Sequence, residues 1–115
     1  MLTITNTRQK LASLCPSTTT QVQLYVVPAS TEIDGLLRVV NLSTSERTYS
    51  VAHCDAGHGD TDANNSDFMP YNCVIAANTM HEISIHAGPT ETIRVTSGSG
   101  SNVSFHLSGN KKVSS

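Results

Sequence analysis

The fold of this chain is predicted by three short segments near its C-terminus, which read HEISIH at residues 81–86, ETIRVT at residues 91–96 and NVSFHL at residues 102–107. In each segment apolar and polar side chains alternate, which places the two kinds on opposite faces of an extended strand. Gly88-Pro89 separates the first two segments, and SGSG at residues 97–100 separates the last two, as turns do between antiparallel strands. The pattern predicts an all-β domain that buries one face of a sheet.

The upstream half of the chain continues this pattern with less regular alternation. Further strands are predicted at residues 21–27, 33–42, 47–53 and 71–75, and the apolar residues of the second are nearly continuous, which is typical of a strand covered on both faces. Turn residues separate these strands from one another. About seven to eight short strands predict a single antiparallel β-sandwich, either jelly-roll-like or immunoglobulin-like.

The 115 residues suit one domain, which we expect to comprise residues 21–110. Residues 1–20 are rich in Thr and contain Pro16, and they are predicted to form an extended N-terminal arm, while residues 111–115 are predicted to form a C-terminal tail. Because apolar side chains would be wasted in a free arm, we expect Leu11, Leu14 and Cys15 to bind a neighbouring subunit. A disordered terminus is the alternative interpretation.

The charge pattern bears on the possible partners. The net charge is −2 and the seven Lys and Arg residues are scattered, so no basic surface for nucleic acid is predicted. The sequence has no apolar run long enough to span a bilayer and does not begin with the pattern of a signal peptide. We therefore expect neither nucleic acid nor a membrane as a partner.

The composition also predicts a thin core and free thiols. Three Tyr, two Phe and no Trp leave a mostly aliphatic core, and a domain with such a core gains stability by burying more surface in an oligomer. Cys15, Cys54 and Cys73 are odd in number, and without a secretion signal we expect all three to be free.

The segment at residues 54–68 is polar and rich in Asp, Asn, Gly and His. Asp60, Asp62 and Asn64 have the alternate spacing that opens a calcium-binding EF-hand loop, which makes them a calcium candidate. The match then fails, because Asn65 stands at the Gly position and Tyr71 at the position of the bidentate Glu. A solvated loop, whose residues serve turn geometry, is the favoured interpretation.

Other side chains that carry chemistry do not form a recognisable motif. A zinc site of His53, Cys54, His58 and Cys73 is disfavoured because close ligand pairs are missing and the adjacent His53 and Cys54 point to opposite faces of a strand. The sequence has no nucleophile elbow and no phosphate-binding glycine loop. We therefore expect no metal, no cofactor and no enzymatic activity.

Six segments along the chain combine strand and turn residues in a fixed order. They are LYVVPAST at residues 24–31, VVNLS at 39–43, RTYSVA at 47–52, IAANT at 75–79, IRV at 93–95 and VSF at 103–105. Taken in this order, they resemble small β-sandwich structural proteins of tailed bacteriophage virions. The resemblance spans roughly residues 21–108 and departs from the group in the polar loop.

This resemblance implies a part of a virion, made in the host cytoplasm. The first expectation is a capsid decoration (cement) protein, a homotrimer that binds the major capsid protein and stabilises the assembled shell. A neck or tail component that aids adsorption to the host is the alternative within the same particle. A calcium- or glycan-binding β-sandwich module is the alternative from another class.

Overall fold

The computed structural model describes residues 3–114. These residues form two β-sheets that pack against each other. Eight strands are present in this part of the chain, together with one turn of 3₁₀ helix at Asn65–Asp67. The strands are β1 Ile4–Leu14, β2 Val22–Val26, β3 Thr31–Asn41, β4 Arg47–Cys54, β5 Cys73–Ile75, β6 Met80–Ala87, β7 Thr92–Ser97 and β8 Val103–Ser114.

The strand order identifies the sandwich as a jelly roll. Sheet A has the order β1-β8-β3-β6 and sheet B the order β2-β7-β4-β5, and every pairing is antiparallel. First pairs with last, second with seventh, third with sixth and fourth with fifth, so the chain is one long paired ribbon rolled into two sheets. The predicted antiparallel β-sandwich is confirmed, and of its two forms the jelly roll is the one observed.

Each strand predicted from the pattern is present, with ends that differ by one or two residues, except that β8 continues beyond Leu107 to Ser114. The core lies between the sheets and is mostly aliphatic, as the composition predicts, with Tyr49 and Phe105 packed edge to face at 6.2 Å between ring centroids. Its largest fully buried side chains include those of Phe105, Leu37, Ile75, Ile85, Ile93 and Leu107.

The residues predicted as an N-terminal arm and a C-terminal tail lie largely in two paired strands. Residues 4–14 form β1, which pairs with β8 along its whole length from Ile4 opposite Ser114 to Leu14 opposite Phe105. Residues 111–114 are the end of β8. Most of β1 is exposed on both faces, so its sequence carries no apolar alternation to reveal it. Residues 1, 2 and 115 lie outside the described part of the chain.

Two glycines set the closest approach within sheet A. Gly35 of β3 and Gly109 of β8 are register partners, and a Cβ atom on Gly35 would collide with the backbone oxygen of Ser108. In the same region β1 carries a bulge between Lys10 and Ala12. Glycine is required here because the strands leave no room for a side chain.

Candidate functional site

The loop between β4 and β5, residues 55–72, lies against sheet B. Met69 N donates to Val51 O at 2.8 Å, and Val51 N donates to Pro70 O at 3.0 Å, so the end of the loop continues the edge of the sheet along β4. Both faces of β4 are buried along most of its length. The polar loop therefore covers the outer face of sheet B, while most of its own side chains are exposed to solvent.

Arg94 of β7 is the buried charge under this loop. Its side chain is 5% exposed, and its Nη1 lies 2.6 Å from Asp60 Oδ1, while its Nη2 lies 3.9 Å from Asp62 Oδ1. Arg94 Nε donates to Gln21 Oε1 at 2.6 Å, and the same oxygen accepts from Ala63 N at 2.7 Å. A buried guanidinium needs such acceptors, and in supplying them the loop is tied to β7 and to the residue before β2.

The three calcium-candidate residues are engaged in other contacts. Asp60 and Asp62 face the guanidinium of Arg94. Asn64 precedes the 3₁₀ turn, and its backbone N donates to Asp67 Oδ2 at 2.9 Å. A calcium ion at Asp60 and Asp62 would have to compete with a cation that is already in place. The calcium candidate stays a prediction.

A second cluster of the loop brings three potential metal ligands together. Cys54, His58 and Asp67 each offer one ligand atom, and these atoms all lie within 4.8 Å of one another. Cys54 is fully buried, and its burial, followed by the negative charge of Asp67, raises the pKa of its thiol. Thr92 is its register partner on β7, so the two side chains share the outer face of sheet B. The buried Thr92 Oγ1 has no hydrogen-bond partner among the described residues.

The combination of His53, Cys54, His58 and Cys73 is not assembled. His53 Nε2 is paired with Glu91 Oε1, while Cys54 faces the loop. Cys73 lies instead beside Tyr49, whose pKa is raised by burial and by Cys73. The sequence argument that separated His53 from Cys54 agrees with this placement, and it missed Asp67, which joins the cluster through the fold of the loop.

The residues predicted to bind a partner are divided by the structure. Leu11 and Leu14 are partly buried and pack against the core of the chain itself. Cys15, directly after β1, is exposed, and its thiol is free. Leu11 and Leu14 therefore contribute to the sandwich itself, and their contact with a neighbouring subunit stays a prediction.

One flank of the sandwich, formed by the edge strands β5 and β6, exposes apolar side chains. Tyr71 is 66% exposed and Val74 is 52% exposed along the edge of sheet B. Met80, at the start of β6, is also exposed, and its register partner on β3 is Val40. We call Tyr71, Val74 and Met80 the apolar flank. Large exposed apolar side chains at an edge indicate a surface for contact with other proteins.

Comparison with models of known protein families finds no match. A comparison with curated proteins also finds no match. Solved structures do show similarity. The chain is similar to a subunit of the disulfide-linked pili that are Bacillus endospore appendages, with a TM-score of 0.62 at 14% identity over 98% of this chain and 89% of that one.

Two viral structures are also similar. A chain of the infectious bursal disease virus Gx strain has a TM-score of 0.52 at 11% identity, and the match covers 100% of this chain but 32% of that one. The coat protein of Tobacco streak virus has a TM-score of 0.44 at 10% identity, covering 96% of this chain and 83% of that one. At these identities the likenesses to the pilus subunit and to the infectious bursal disease virus chain show a shared fold.

The secondary structure also bears on membrane spanning. Within residues 3–114, no helix has the length and apolar character needed to cross a bilayer.

Proposed function

We propose that this protein is a structural component of a bacteriophage virion, and specifically a capsid decoration protein. The observation that carries the proposal is that the described chain is one jelly roll, similar in fold to a pilus subunit over 98% of its length and also to a chain of a virus structure. The segments that resemble phage structural proteins, and their order along the chain, support the same function. The protein would be made in the host cytoplasm and reside in the virion.

The proposed mechanism is stabilisation by mass action. A protein that binds the assembled shell and not its separated subunits stabilises the assembled state. A stable contact of this kind buries about 1,200–2,000 Å² in total. We expect homotrimers at local three-fold positions of the shell, in contact with the major capsid protein, because closed cyclic symmetry is common among oligomers.

Two surfaces are available for these contacts. Among the strands of residues 3–114, none pairs with the outer edge of β1, and a free edge can accept a strand from another chain. Its exposed residues Ile4–Lys10 take the place that the arm had in the sequence prediction. The apolar flank is the second surface, on the opposite side of the sandwich.

A non-enzymatic role fits this proposal. The buried polar groups under the β4–β5 loop tie a surface loop to a sheet, and their contacts are explained by that role. The similar solved structures belong to a pilus and to virus particles.

The test is binding to capsids that lack the protein, followed by sedimentation and by native mass spectrometry of the free protein. We expect saturable binding, a trimer in solution and greater resistance of the shell to heat. Removing residues 1–8 is expected to weaken binding while leaving the circular dichroism of the sandwich intact. Replacing Val74 with Glu tests the apolar flank, and Val26→Glu, at an exposed apolar position on the other edge of sheet B, is the matched control. Failure of the intact protein to bind any capsid preparation contradicts the proposal.

A fibre subunit is the second candidate, and one observation favours it. The similarity to a subunit of disulfide-linked pili extends over nearly the full length of both chains, and Cys15 offers an exposed thiol beside the edge strand β1. If the protein is a fibre subunit, oxidation of the purified protein will bond Cys15 of one copy to Cys73, the other accessible thiol, of the next copy, because Cys15 alone could only join two copies. Filaments will then be seen under the electron microscope, and Cys15→Ser will prevent them. A decoration protein will stay a small oligomer under the same conditions. A low copy number in particles would distinguish a neck or tail component from both a decoration protein and a fibre subunit.

A further inference from the structure

We infer that Cys54, His58 and Asp67 form a binding site for a thiophilic divalent cation, with Zn²⁺ as the best match, and that the bound ion fixes the β4–β5 loop onto sheet B. This site is independent of the proposed function.

The three ligand atoms lie near enough to one another to converge on one ion. Ligand atoms around a tetrahedral zinc lie about 3.3–3.8 Å apart, as follows from zinc–ligand bonds of about 2.0–2.3 Å. The thiol of Cys54, a ring nitrogen of His58 and a carboxylate oxygen of Asp67 all lie within 4.8 Å of one another. A closing movement of about 1 Å in the loop brings them onto one ion, with the fourth position left to water.

The imidazole of His58 is already oriented by its neighbours as a metal ligand is. Its Nε2 lies 3.1 Å from Thr61 O and 3.0 Å from Asp62 O, and both atoms are acceptors. Nε2 therefore carries the proton, which leaves the lone pair of Nδ1 free to coordinate. Histidines that bind metals characteristically donate their other ring N–H to a carbonyl or carboxylate in this way.

The charge of the loop favours a cation. Residues 54–68 contain four Asp and no Lys or Arg. Arg94 faces Asp60 and Asp62, which leaves Asp67 without a basic partner among the ion pairs of the described residues. Asp67 and a Cys54 thiolate together carry the two negative charges that a divalent ion neutralises.

The ligand types select the metal. A thiolate and an imidazole favour zinc and similar ions, whereas calcium and magnesium prefer oxygen ligands throughout. The buried hydroxyl of Thr92, on the same face of sheet B as Cys54, supplies a hydrogen-bond donor beside the proposed thiolate. Such second contacts stabilise metal-bound sulfur.

The test uses the full chain, stripped with a chelator and titrated with Co²⁺ and Cd²⁺ alone. We expect thiolate-to-metal absorption bands with a stoichiometry of one, and a rise of several degrees in melting temperature with Zn²⁺. His58→Gln and Asp67→Asn change partly buried side chains of the loop, so the sandwich should still fold. Each is expected to weaken metal affinity by at least about tenfold. Cys54→Ser should abolish the bands.

Two controls match these variants in residue type. Cys15→Ser removes an exposed thiol far along the chain, and Asp62→Asn removes an acidic residue of the same loop that faces Arg94. Both are expected to keep the bands and the affinity. The inference is overturned if the native protein gives no thiolate band, if the band is lost in Cys15→Ser instead of Cys54→Ser, or if His58→Gln and Asp67→Asn bind as tightly as the native protein.

Discussion

Asn41, at the end of β3, is predicted to be among the most sensitive polar residues of the sandwich. It is buried, and its Nδ2 donates toward the carbonyl oxygens of Ser45, Ile75 and Ala76 at 2.8, 3.1 and 3.2 Å. Its Oδ1 accepts from the backbone N and the hydroxyl of Ser43 at 3.0 and 2.9 Å. One side chain thus joins the β3–β4 turn to the β5–β6 turn.

The expected cost of Asn41→Ala follows from these bonds. An amide has two hydrogens, so Nδ2 contributes two bonds at a time and Oδ1 two more. Leaving the buried carbonyl of Ile75 without its partner costs about 1–3 kcal/mol, and each remaining bond contributes about 0.5–1.5 kcal/mol. Because water replaces part of the bonding in the partly buried turns, we expect a loss of about 3–5 kcal/mol in the free energy of unfolding.

The measurement is urea unfolding followed by circular dichroism, with melting temperature as a second readout. The expected loss corresponds to a fall of about 12–20 °C in melting temperature for a domain of this size. Asn41→Asp keeps the volume but places an oxygen against three carbonyl oxygens, so we expect it to be at least as damaging. Asn102→Ala, in the partly buried turn before β8, is the matched control and should cost about 1 kcal/mol. A loss below 1 kcal/mol for both Asn41 variants would refute this account of the turn.

Two further predictions concern the close strand pair and the thiols. Gly35→Ala should lower the free energy of unfolding in urea by about 1–3 kcal/mol, because the new Cβ atom would collide with the backbone of Ser108. Gly88→Ala should cost less, because its Cβ atom would contact only a flexible side chain. Equal losses for the two variants would contradict the close approach of β3 and β8. Cys15 should react first with a thiol reagent, because it is exposed, while Cys54 is buried and the pKa of its thiol is raised by burial. Mass spectrometry of the peptides during alkylation will test this order, and early labelling of Cys54 at neutral pH would contradict it.

The strands that the sequence predicted all place apolar side chains in the core, and alternation is clearest where only one face of a strand is covered. Residues 103–107 of β8 alternate because Val103, Phe105 and Leu107 enter the core while the residues between them face outward. Both faces of β1 are exposed over Ile4–Lys10, so burial imposes no alternation there. Its pairing with β8 is a long-range contact between the two ends of the chain, which a local pattern does not encode.

The groups under the β4–β5 loop could not be predicted from the sequence for a different reason. Arg94 alternates with apolar residues and was assigned to an outward face, which is correct, but that face is covered by the β4–β5 loop. Cys54, His58 and Asp67 come together through the path of this loop and not through the close spacing that marks zinc motifs. In contrast, the structure explains one segment that the sequence analysis singled out. In VVNLS at residues 39–43, the side chain of Asn41 joins two turns by hydrogen bonds.

The copy number of this chain in purified particles from its source tests the central claim most directly. Quantitative mass spectrometry against the major capsid protein gives that number. The decoration proposal predicts hundreds of copies per particle, because the shell offers many equivalent positions. A few dozen copies or fewer would contradict decoration in favour of the neck or tail, and complete absence from particles would contradict a virion role.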